Sequence, residues 1–476
     1  MSETLGRKVK ISVDGRIIEA EEGAILLQVL LKNGFEIPYY CYHEALGPDG
    51  NCRMCMVEIE GKKRPQISCD TFVEEGLVIH TNTENIRKVR REILELQLIN
   101  HPVDCPICDQ AGECSLQDYY MEYGLYHGSV EKGKKLHFNK HLDLGRNVML
   151  DQERCVLCQR CTRFTTNITQ TNELGIVWRA DHSCVSTLPG RKLENGYAMN
   201  LVDLCPVGAL TSKDFRFQQR VWFLTPTPSV CHGCAKGCNI FVDHARLKYH
   251  DDTIYRFRPR KNPDINGYFI CDDGRLSYKA LQTGRLEKAL FEGREIGFDE
   301  AVRELKKSVE CTTGRIVILA DANLYTEELE MIQIFANRIG AWLYAPLESY
   351  IDEKFADEWL RNAMRAANAK GVEKLGIATT MPEIKRDTLL INFNHPVADS
   401  LDVRRRIDFL THAEGPETGS RADLTLPIAV WSEASGTLIN IDGLEQRCEQ
   451  VIYPSDPVPT VIRWLEAYEL GERCIV

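Results

Sequence analysis

The sequence predicts a multidomain chain that combines α+β and α/β parts. Three observations support this fold class. The chain has 476 residues, most of its 19 cysteines cluster in the first 271 positions, and strand and helix signals alternate after residue 285. The formal net charge of −11 argues against a nucleic-acid surface, so no nucleic acid is expected as a partner.

The N-terminal residues MSETLGRKVK lack the apolar stretch of a secretory signal. No apolar run approaches the roughly 18 residues needed to span a bilayer. We therefore expect a chain without a transmembrane segment, in a compartment where clustered cysteines bind metal rather than form disulfides.

Hydrophobic periodicity indicates which segments form strands and helices. Strand signals lie at 9–13, 16–20, 56–60, 240–242, 253–258, 316–320 and 388–393, and helix signals lie at 24–32, 85–98 and 327–338. Together with the cysteines they predict domains at 1–84, 85–139, 140–222, 223–284 and 285–476. The basic run Arg256 to Lys261 is interpreted as a solvated face or a subunit contact.

The first cysteine set has the spacing C-x10-C-x2-C-x13-C and comprises Cys41, Cys52, Cys55 and Cys69. Four thiolates in one loop and its following strand suit a [2Fe–2S] cluster, although the first gap is wider than in plant-type ferredoxins. Gly50 and Asn51 fit a loop that wraps sulfur with backbone N–H groups. A structural zinc site is the alternative, and the ferredoxin-like β-grasp pattern around the set favours the cluster.

The second set has the spacing H-x3-C-x2-C-x5-C and comprises His101, Cys105, Cys108 and Cys114. A neutral imidazole in place of a thiolate leaves a cluster less negative, and this raises the reduction potential in Rieske centres. An isolated histidine is usually an ordinary surface or core residue. The position of His101 four residues before a Cys-x-x-Cys favours a ligand of a [4Fe–4S] cluster.

Two further sets have spacings typical of [4Fe–4S] sites. The third set is C-x2-C-x2-C with a remote Cys-Pro, the bacterial ferredoxin arrangement, and the fourth is C-x2-C-x3-C-x32-C. The third set comprises Cys155, Cys158, Cys161 and Cys205, and the fourth comprises Cys231, Cys234, Cys238 and Cys271. Cys184, Cys311, Cys448 and Cys474 are scattered, which is typical of ordinary buried or surface thiols.

Four stretches together carry a resemblance to a known family. These stretches are Cys41 to Cys69, HPVDCPICDQAGECSLQDYY from His101, RCVLCQRCTRF from Arg154 and DLCPVGALTSKDFRF from Asp203. In order and spacing they resemble the large iron–sulfur (G) subunit of NADH:quinone oxidoreductase, respiratory complex I. The resemblance implies one [2Fe–2S] and three [4Fe–4S] clusters held by the four sets.

The last domain resembles a shortened molybdopterin oxidoreductase fold, through ADLTLP from Ala422, EASGTLIN from Glu433 and GLEQ from Gly443. Its short body implies that no molybdopterin is bound. Neither a G-x-G-x-x-G after a strand nor a P-loop occurs, so no nucleotide site of its own is expected.

The resemblance implies a relay function in a larger oxidoreductase, without catalytic residues on this chain. A partner NADH/FMN flavoprotein would oxidise NADH, and this chain would pass single electrons toward quinone in a proton-translocating NADH dehydrogenase. Other peripheral-arm subunits would be direct partners, and membrane subunits indirect ones. The chain would lie on the cytoplasmic side of the inner membrane.

Three alternatives remain at this point. The same relay could serve a soluble NAD-linked hydrogenase or formate dehydrogenase, and the cysteine sets do not separate these hosts. An active molybdopterin oxidoreductase would need a longer body than follows Cys271. A structural zinc protein would be colourless and free of iron.

Overall fold

The computed structural model describes residues 7–124, 135–246, 252–381, 383–412 and 422–470. The chain divides into two compact units, Met1–Phe223 and Leu224–Val476. Cys474 lies outside the described residues. The five-domain division suggested by the sequence is finer than these two units and stays a prediction.

The first unit contains short strands and helices separated by cysteine-bearing loops. Its strands are β1 (Lys8–Val13), β2 (Arg16–Glu21), β3 (Met56–Ile59), β4 (Gln66–Ile67), β5 (Val78–His80), β6 (Leu142–Asp143), β7 (Val148–Leu150), β8 (Leu174–Val177), β9 (Cys184–Thr187) and β10 (Leu210–Ser212). Its helices are α1 (Leu26–Lys32), α2 (Glu84–Leu98), α3 (Ser115–Tyr123), α4 (Arg160–Arg163) and α5 (Asn200–Leu204).

A five-stranded mixed sheet in the order β2-β1-β5-β3-β4 carries the first cysteine set. Strands β1 and β2 form the predicted hairpin, and β1 pairs in parallel with β5. The alternating residues Val9, Ile11 and Val13 point into a core that α1 covers. Because alternate side chains of a strand lie on one face, this pattern fixes which face of the sheet is buried.

Helix α1 begins at Leu26, two residues later than the sequence pattern suggests. The Leu26 N–H donates to the Thr71 carbonyl, and the Val73 N–H donates to the Ala24 carbonyl. Residues 24 and 25 are therefore held extended by pairing with a distant segment, which overrides their local preference for helix.

Helix α2 leads the chain from the sheet to the second cysteine set, as the sequence predicts. Thr83 caps the helix by accepting a hydrogen bond from the Ile86 N–H at 3.2 Å. The buried Arg90 donates to the Tyr123 hydroxyl on α3 at 3.0 Å. Helices α2 and α3 are thus fastened together on either side of the second set.

The remainder of the first unit forms two small sheets around the third set. Strands β10, β7 and β6 form one antiparallel sheet, and β8 and β9 form a hairpin. Strand β10 follows the remote Cys-Pro at 205–206, so its pairing with β7 returns Cys205 to the segment that carries the other three cysteines.

The described residues of the second unit form three sheets. Its strands are β11 (Thr225–Val230), β12 (Asn239–Arg246), β13 (Asp252–Pro259), β14 (Ala289–Phe291), β15 (Arg294–Ile296), β16 (Ile316–Ala320), β17 (Trp342–Tyr344), β18 (Leu389–Phe393), β19 (Arg405–Leu410), β20 (Leu424–Pro427), β21 (Gly436–Ile439) and β22 (Glu445–Cys448). Its helices are α6 (Asp272–Leu276), α7 (Phe298–Glu310), α8 (Thr326–Ile339), α9 (Ala369–Lys374) and α10 (Val461–Leu470).

Two arginines of the basic run at 256–261 pair with a buried carboxylate, and the interpretation of the run as a solvated face or a subunit contact stays a prediction. The run lies on β13 of the antiparallel sheet β11-β12-β13. The Arg256 and Arg258 guanidinium groups bind the Asp243 carboxylate on β12, at 2.7 and 2.6 Å, and Asp243 is almost fully buried. A buried carboxylate needs such charged partners, and sequence alone did not reveal it.

A seven-stranded sheet in the order β15-β14-β20-β19-β18-β16-β17 forms the core of the second unit. The five strands from β20 to β17 are mutually parallel, which confirms the expected α/β layer. Strands β14 and β15 add an antiparallel edge that the sequence did not suggest. All of β16 is buried, as its run of apolar residues predicts.

Within the described residues, no helix is long and apolar enough to cross a membrane.

Replacing Leu30 by alanine tests the packing of α1 on the first sheet. Leu30 is fully buried in the core of that sheet. We expect the variant to lower the local opening free energy of β1 and β2 by about 2–5 kcal/mol, because the truncation leaves a cavity. Native-state hydrogen exchange of these amides measures this.

The exposed Lys32 on the same helix supplies the matched control. Lys32→Ala should leave the exchange rates of β1 and β2 within error. Equal effects of the two substitutions would contradict the assigned packing.

Candidate metal centres

The first set lies in one buried site beside the five-stranded sheet. Cys41 lies in the loop after α1, Cys52 and Cys55 precede β3, and Cys69 lies in a short 3₁₀ turn after β4. All four side chains are buried. The Cys41 thiol lies within hydrogen-bond reach of Cys52 and Cys69, and Cys55 within reach of Cys69.

These thiol contacts shift the pKa values of two members downward. Hydrogen bonds from Cys52 and then Cys69 hold the pKa of Cys41 far below its usual value, against the opposing effect of burial. The hydrogen bond from Cys69 lowers the pKa of Cys55 to about 7. The same hydrogen bonds raise the pKa values of Cys52 and Cys69 well above their usual value. The site thus favours the thiolate, the form in which cysteine binds metal, at Cys41 and Cys55.

The backbone of the first-set loop lies close to the cysteine sulfurs. The Cys41 N–H points at the Cys52 sulfur at 3.5 Å, and Gly50 has a left-handed backbone with φ of 70°. The Asn51 backbone N–H also hydrogen-bonds to Cys41, as expected. The Asn51 side chain donates to the Leu157 carbonyl in the loop of the third set, at 3.2 Å, and thereby links the two cysteine loops.

The second set lies between α2 and α3. Cys105 begins a short 3₁₀ turn and Cys114 immediately precedes α3. His101 Nδ1 is buried and has no hydrogen-bond partner among the described residues. Burial lowers the pKa of His101 to about 4, so the imidazole is neutral near pH 7. A neutral imidazole with an unmatched nitrogen fits a metal ligand.

Gly208, in the segment that follows Cys205 of the third set, packs directly against the second set. A Cβ added at Gly208 would lie 2.2 Å from the Cys108 sulfur and 3.1 Å from Gln110 Cβ. The Ser115 N–H also donates to the Pro206 carbonyl at 3.0 Å. The segment at 206–208 and the second set are therefore in direct contact, with space for a hydrogen atom but not for a methyl group.

An ion network surrounds the loop of the second set. The Arg154 guanidinium binds Asp104 at 2.7 Å and Asp151 at 3.2 Å, and Arg154 is only 5% exposed. Lys140 pairs with the same two carboxylates and with Glu153. Arg154 directly precedes Cys155, so this network joins the second set to the third.

The four cysteines of the third set line a single apolar cavity. Cys155, Cys158, Cys161 and Cys205 share it with Gln159, Arg160 and the apolar residues Leu150, Val156, Val185, Val207, Ala209 and Leu210. Burial raises the pKa of Cys158 to about 12 and that of Cys161 well above its usual value. Thiolates in this cavity therefore need positive charge beside them. The Arg160 guanidinium supplies part of it, and bound iron would supply more.

The backbone of the third set turns tightly around its sulfurs. Leu157 and Gln159 both adopt left-handed conformations, with φ of 50° and 62°. The Leu157 N–H points at the Cys155 sulfur at 3.4 Å. Such strained, non-glycine positions are uncommon and are typical of loops with a functional constraint.

The fourth set lies in the second unit, after β11 and before α6. The Cys231 N–H donates to the Cys238 carbonyl at 2.8 Å, which closes the loop. A Cβ added at Gly274 would lie 3.0 Å from the Cys231 sulfur and 3.2 Å from the Cys271 sulfur. The fold thus brings the remote Cys271 next to the loop, as the sequence predicts.

Two arginines of α4 reach from the third set to the loop of the first. Arg160 donates to the Tyr42 carbonyl at 2.6 Å and to the Leu204 carbonyl at 3.0 Å. Arg163 donates to the Cys41 carbonyl and to the Leu46 carbonyl. Sequence reasoning missed these residues, because nothing local distinguishes an arginine that binds a distant carbonyl from an exposed one.

The other cysteines stay apart from the four sets in sequence. Cys184 is buried and accepts a hydrogen bond from Gln152 Nε2 at 3.4 Å, and Cys448 is buried. Cys311 is exposed. Among the described residues, no three His, Cys, Asp or Glu side chains meet at the spacing of one metal ion.

Three family models match the first unit. They are a 2Fe-2S iron-sulfur cluster binding domain at residues 6–84, the NADH-ubiquinone oxidoreductase-G iron-sulfur binding region at 90–129, and the ferredoxin-like domain of NADH-quinone oxidoreductase subunit 3 at 145–211. These ranges contain the first, second and third sets respectively. The first unit therefore carries 2Fe-2S and 4Fe-4S binding domains.

Curated relatives extend the similarity. The chain is 34% identical to the G subunit of NADH-quinone oxidoreductase from Rickettsia felis over 371 residues, which is 77% of this chain and 54% of that protein. It is 36% identical to the NADH-ubiquinone oxidoreductase 75 kDa subunit of Reclinomonas americana over 366 residues, 75% of this chain and 52% of that one. The chain spans about half the length of these relatives.

A solved structure of an NAD+-reducing [NiFe]-hydrogenase in the H2-reduced state is also similar, at 28% identity. The match covers 45% of this chain and 91% of that chain, with a TM-score of 0.40.

Replacing Gly208 by alanine tests the close approach to the second set. The added methyl group would overlap the Cys108 sulfur. We expect the variant to displace Cys108 and to contain less iron, by up to one [4Fe–4S] cluster per chain. The iron-to-protein ratio measures the iron content, and EPR measures which cluster signal is lost.

Gly175 on β8 is the matched control, since a Cβ there would have no atom within 4 Å. Gly175→Ala should keep the wild-type iron content. An unaltered iron content in Gly208→Ala would show that this contact does not shape the site.

Proposed function

Because this chain belongs to the family of the G subunit of NADH-quinone oxidoreductase, we propose that it is an electron-relay subunit of such a complex. It passes single electrons from a partner NADH/FMN flavoprotein toward quinone. The observation that carries the proposal is the contact among three cysteine sets within one unit, through Arg160, Arg163, Arg154 and Gly208. A relay needs neighbouring redox centres, and this packing supplies neighbouring sites for them.

Each set has residues that fit one cluster. The first set would hold a [2Fe–2S] cluster through Cys41, Cys52, Cys55 and Cys69. The second would hold a [4Fe–4S] cluster through His101, Cys105, Cys108 and Cys114, the third one through Cys155, Cys158, Cys161 and Cys205, and the fourth one through Cys231, Cys234, Cys238 and Cys271. When bound, such clusters gain and lose one electron at a time.

The chain's own residues set the conditions for this transfer. Burial of the thiols excludes water, and N–H groups such as those of Cys41, Leu157 and Gly274 point at sulfur atoms. Hydrogen bonds to sulfur and burial are the means by which a protein adjusts cluster potentials. Substrate chemistry is left to other subunits, and no residue of this chain is assigned a catalytic role.

Residues 285–476 are proposed to form a shortened molybdopterin-oxidoreductase-like domain that holds no molybdopterin. The segments that carry this resemblance form β20, a strand of the parallel sheet, and the hairpin β21-β22. Elemental analysis tests this part: stoichiometric molybdenum or tungsten would contradict it.

The proposed partners are the NADH/FMN flavoprotein and other peripheral-arm subunits, on the cytoplasmic side of the membrane. The named curated relatives are complex I subunits, which supports this host. The likeness to the hydrogenase structure is too distant to favour the alternative relay.

Replacing Cys158 by alanine in the purified complex tests the relay. With the third set interrupted, NADH-to-quinone activity should fall at least tenfold, whereas reduction of ferricyanide at the flavin end should persist. The exposed Cys311, outside every set, is the control, and Cys311→Ala should keep both activities. If Cys158→Ala lacked the third-set cluster but still reduced quinone at the wild-type rate, a relay through this site would be ruled out.

Replacing His101 by cysteine tests the ligand assignment of the second set. The added thiolate makes the ligand set more anionic, so the cluster should remain but its potential should fall. EPR-monitored redox titration measures the change. His182→Cys, at a position with a 64% exposed side chain, is the control. If every [4Fe–4S] signal in His101→Cys kept its potential, His101 would not be a ligand.

A further inference from the structure

The Tyr40 hydroxyl is a buried donor without a protein partner among the described residues. Tyr40 directly precedes Cys41 and its side chain is 0% exposed. Its hydroxyl oxygen lies in the described part of the chain with no hydrogen-bond partner there. A buried hydroxyl without a partner destabilises the fold, so such a group calls for an acceptor.

The surroundings of Tyr40 place it at the edge of the second set. Its ring packs edge-on against the Tyr119 ring, with centroids 5.2 Å apart. Tyr119 lies on α3, the helix that begins directly after Cys114. The Tyr119 hydroxyl is itself occupied, because it accepts from the Tyr39 N–H at 3.0 Å and donates to the Tyr39 carbonyl at 3.2 Å. The Tyr119 hydroxyl is therefore not the acceptor of the Tyr40 hydroxyl.

Cysteine thiols of both sets contribute to the electrostatic environment of Tyr40. Burial first, then Tyr119, Cys114 and Cys52, hold the pKa of Tyr40 well above its usual value. The link to the second set is geometric, because the Tyr40 ring contacts Tyr119 on α3, the helix that begins directly after Cys114.

We propose that the Tyr40 hydroxyl donates a hydrogen bond to sulfur of the cluster held by His101, Cys105, Cys108 and Cys114. Tyr40 is a positioning residue that comes from the loop of the first set and acts on the second. The proposal rests on the cluster assigned to the second set. A hydrogen bond to sulfur stabilises the more negative, reduced cluster and raises its potential.

Tyr40→Phe removes this donor and keeps the ring. Since no hydrogen bond to the described residues is lost, a purely structural role predicts an unchanged potential. The proposal predicts a three- to tenfold lower ratio of reduced to oxidised second-set cluster at a fixed potential, which corresponds to a fall of roughly 30–60 mV at about 59 mV per tenfold. EPR-monitored redox titration of the full chain measures this shift.

Tyr119→Phe is the matched control, because its hydroxyl is bonded to the backbone of Tyr39. It should leave the potential of the second-set cluster unchanged. In wild-type protein exchanged into D2O, pulsed ENDOR should detect a deuteron coupled to this cluster that is missing in Tyr40→Phe.

The outcomes separate the inference from the proposed function. A wild-type chain without the second-set EPR signal would contradict the cluster assignment itself. A cluster that is present, with the same potential in Tyr40→Phe and wild type, would overturn the hydrogen bond. A shift confined to the [2Fe–2S] signal, or an equal shift in Tyr119→Phe, would overturn it as well.

Discussion

The first unit depends on the hydrogen bonds and ion pairs that arginine side chains make between its cysteine-bearing loops. Arg160 and Arg163 fix the loop of the first set to the helix of the third, and Arg154 joins the third to the second. Arg220 adds a hydrogen bond to the Cys108 carbonyl at 2.7 Å. Short strands and loops bury little apolar area of their own, so these charge-assisted bonds to carbonyls and carboxylates supply much of the specific geometry.

The same arrangement shapes the electrostatics of the sites. Burial is the main cause of the raised pKa of the third-set thiols, and buried cations lie close to several cysteines. A buried guanidinium is costly unless it is fully bonded, and Arg154 meets this condition through Asp104 and Asp151. The electrostatics of these sites therefore favour thiolates whose negative charge is balanced by positive iron over thiolates without a metal.

Sequence periodicity predicted most regular elements of the fold, because the buried faces of single strands and helices are local properties. The hairpin β1-β2, helix α2 and the buried strand β16 lie where the pattern indicates. The start of α1 and the antiparallel edge β14-β15 differ or were missed, since both depend on pairing with distant segments. Asp243, which binds two arginines of the basic run, escaped notice for the same reason.

Spacing predicts the cysteine sets, because ligands on one short loop must lie close together, although this reason does not reach the remote Cys205 and Cys271. The neighbours of the sets could not be predicted, since Gly208, Arg154, Arg160 and Tyr40 act on sets to which they do not belong in sequence. Iron-edge anomalous diffraction from the purified chain is the most direct test of the cluster assignment. We expect iron at all four sets; zinc at these positions, or sets without iron, would contradict the assignment.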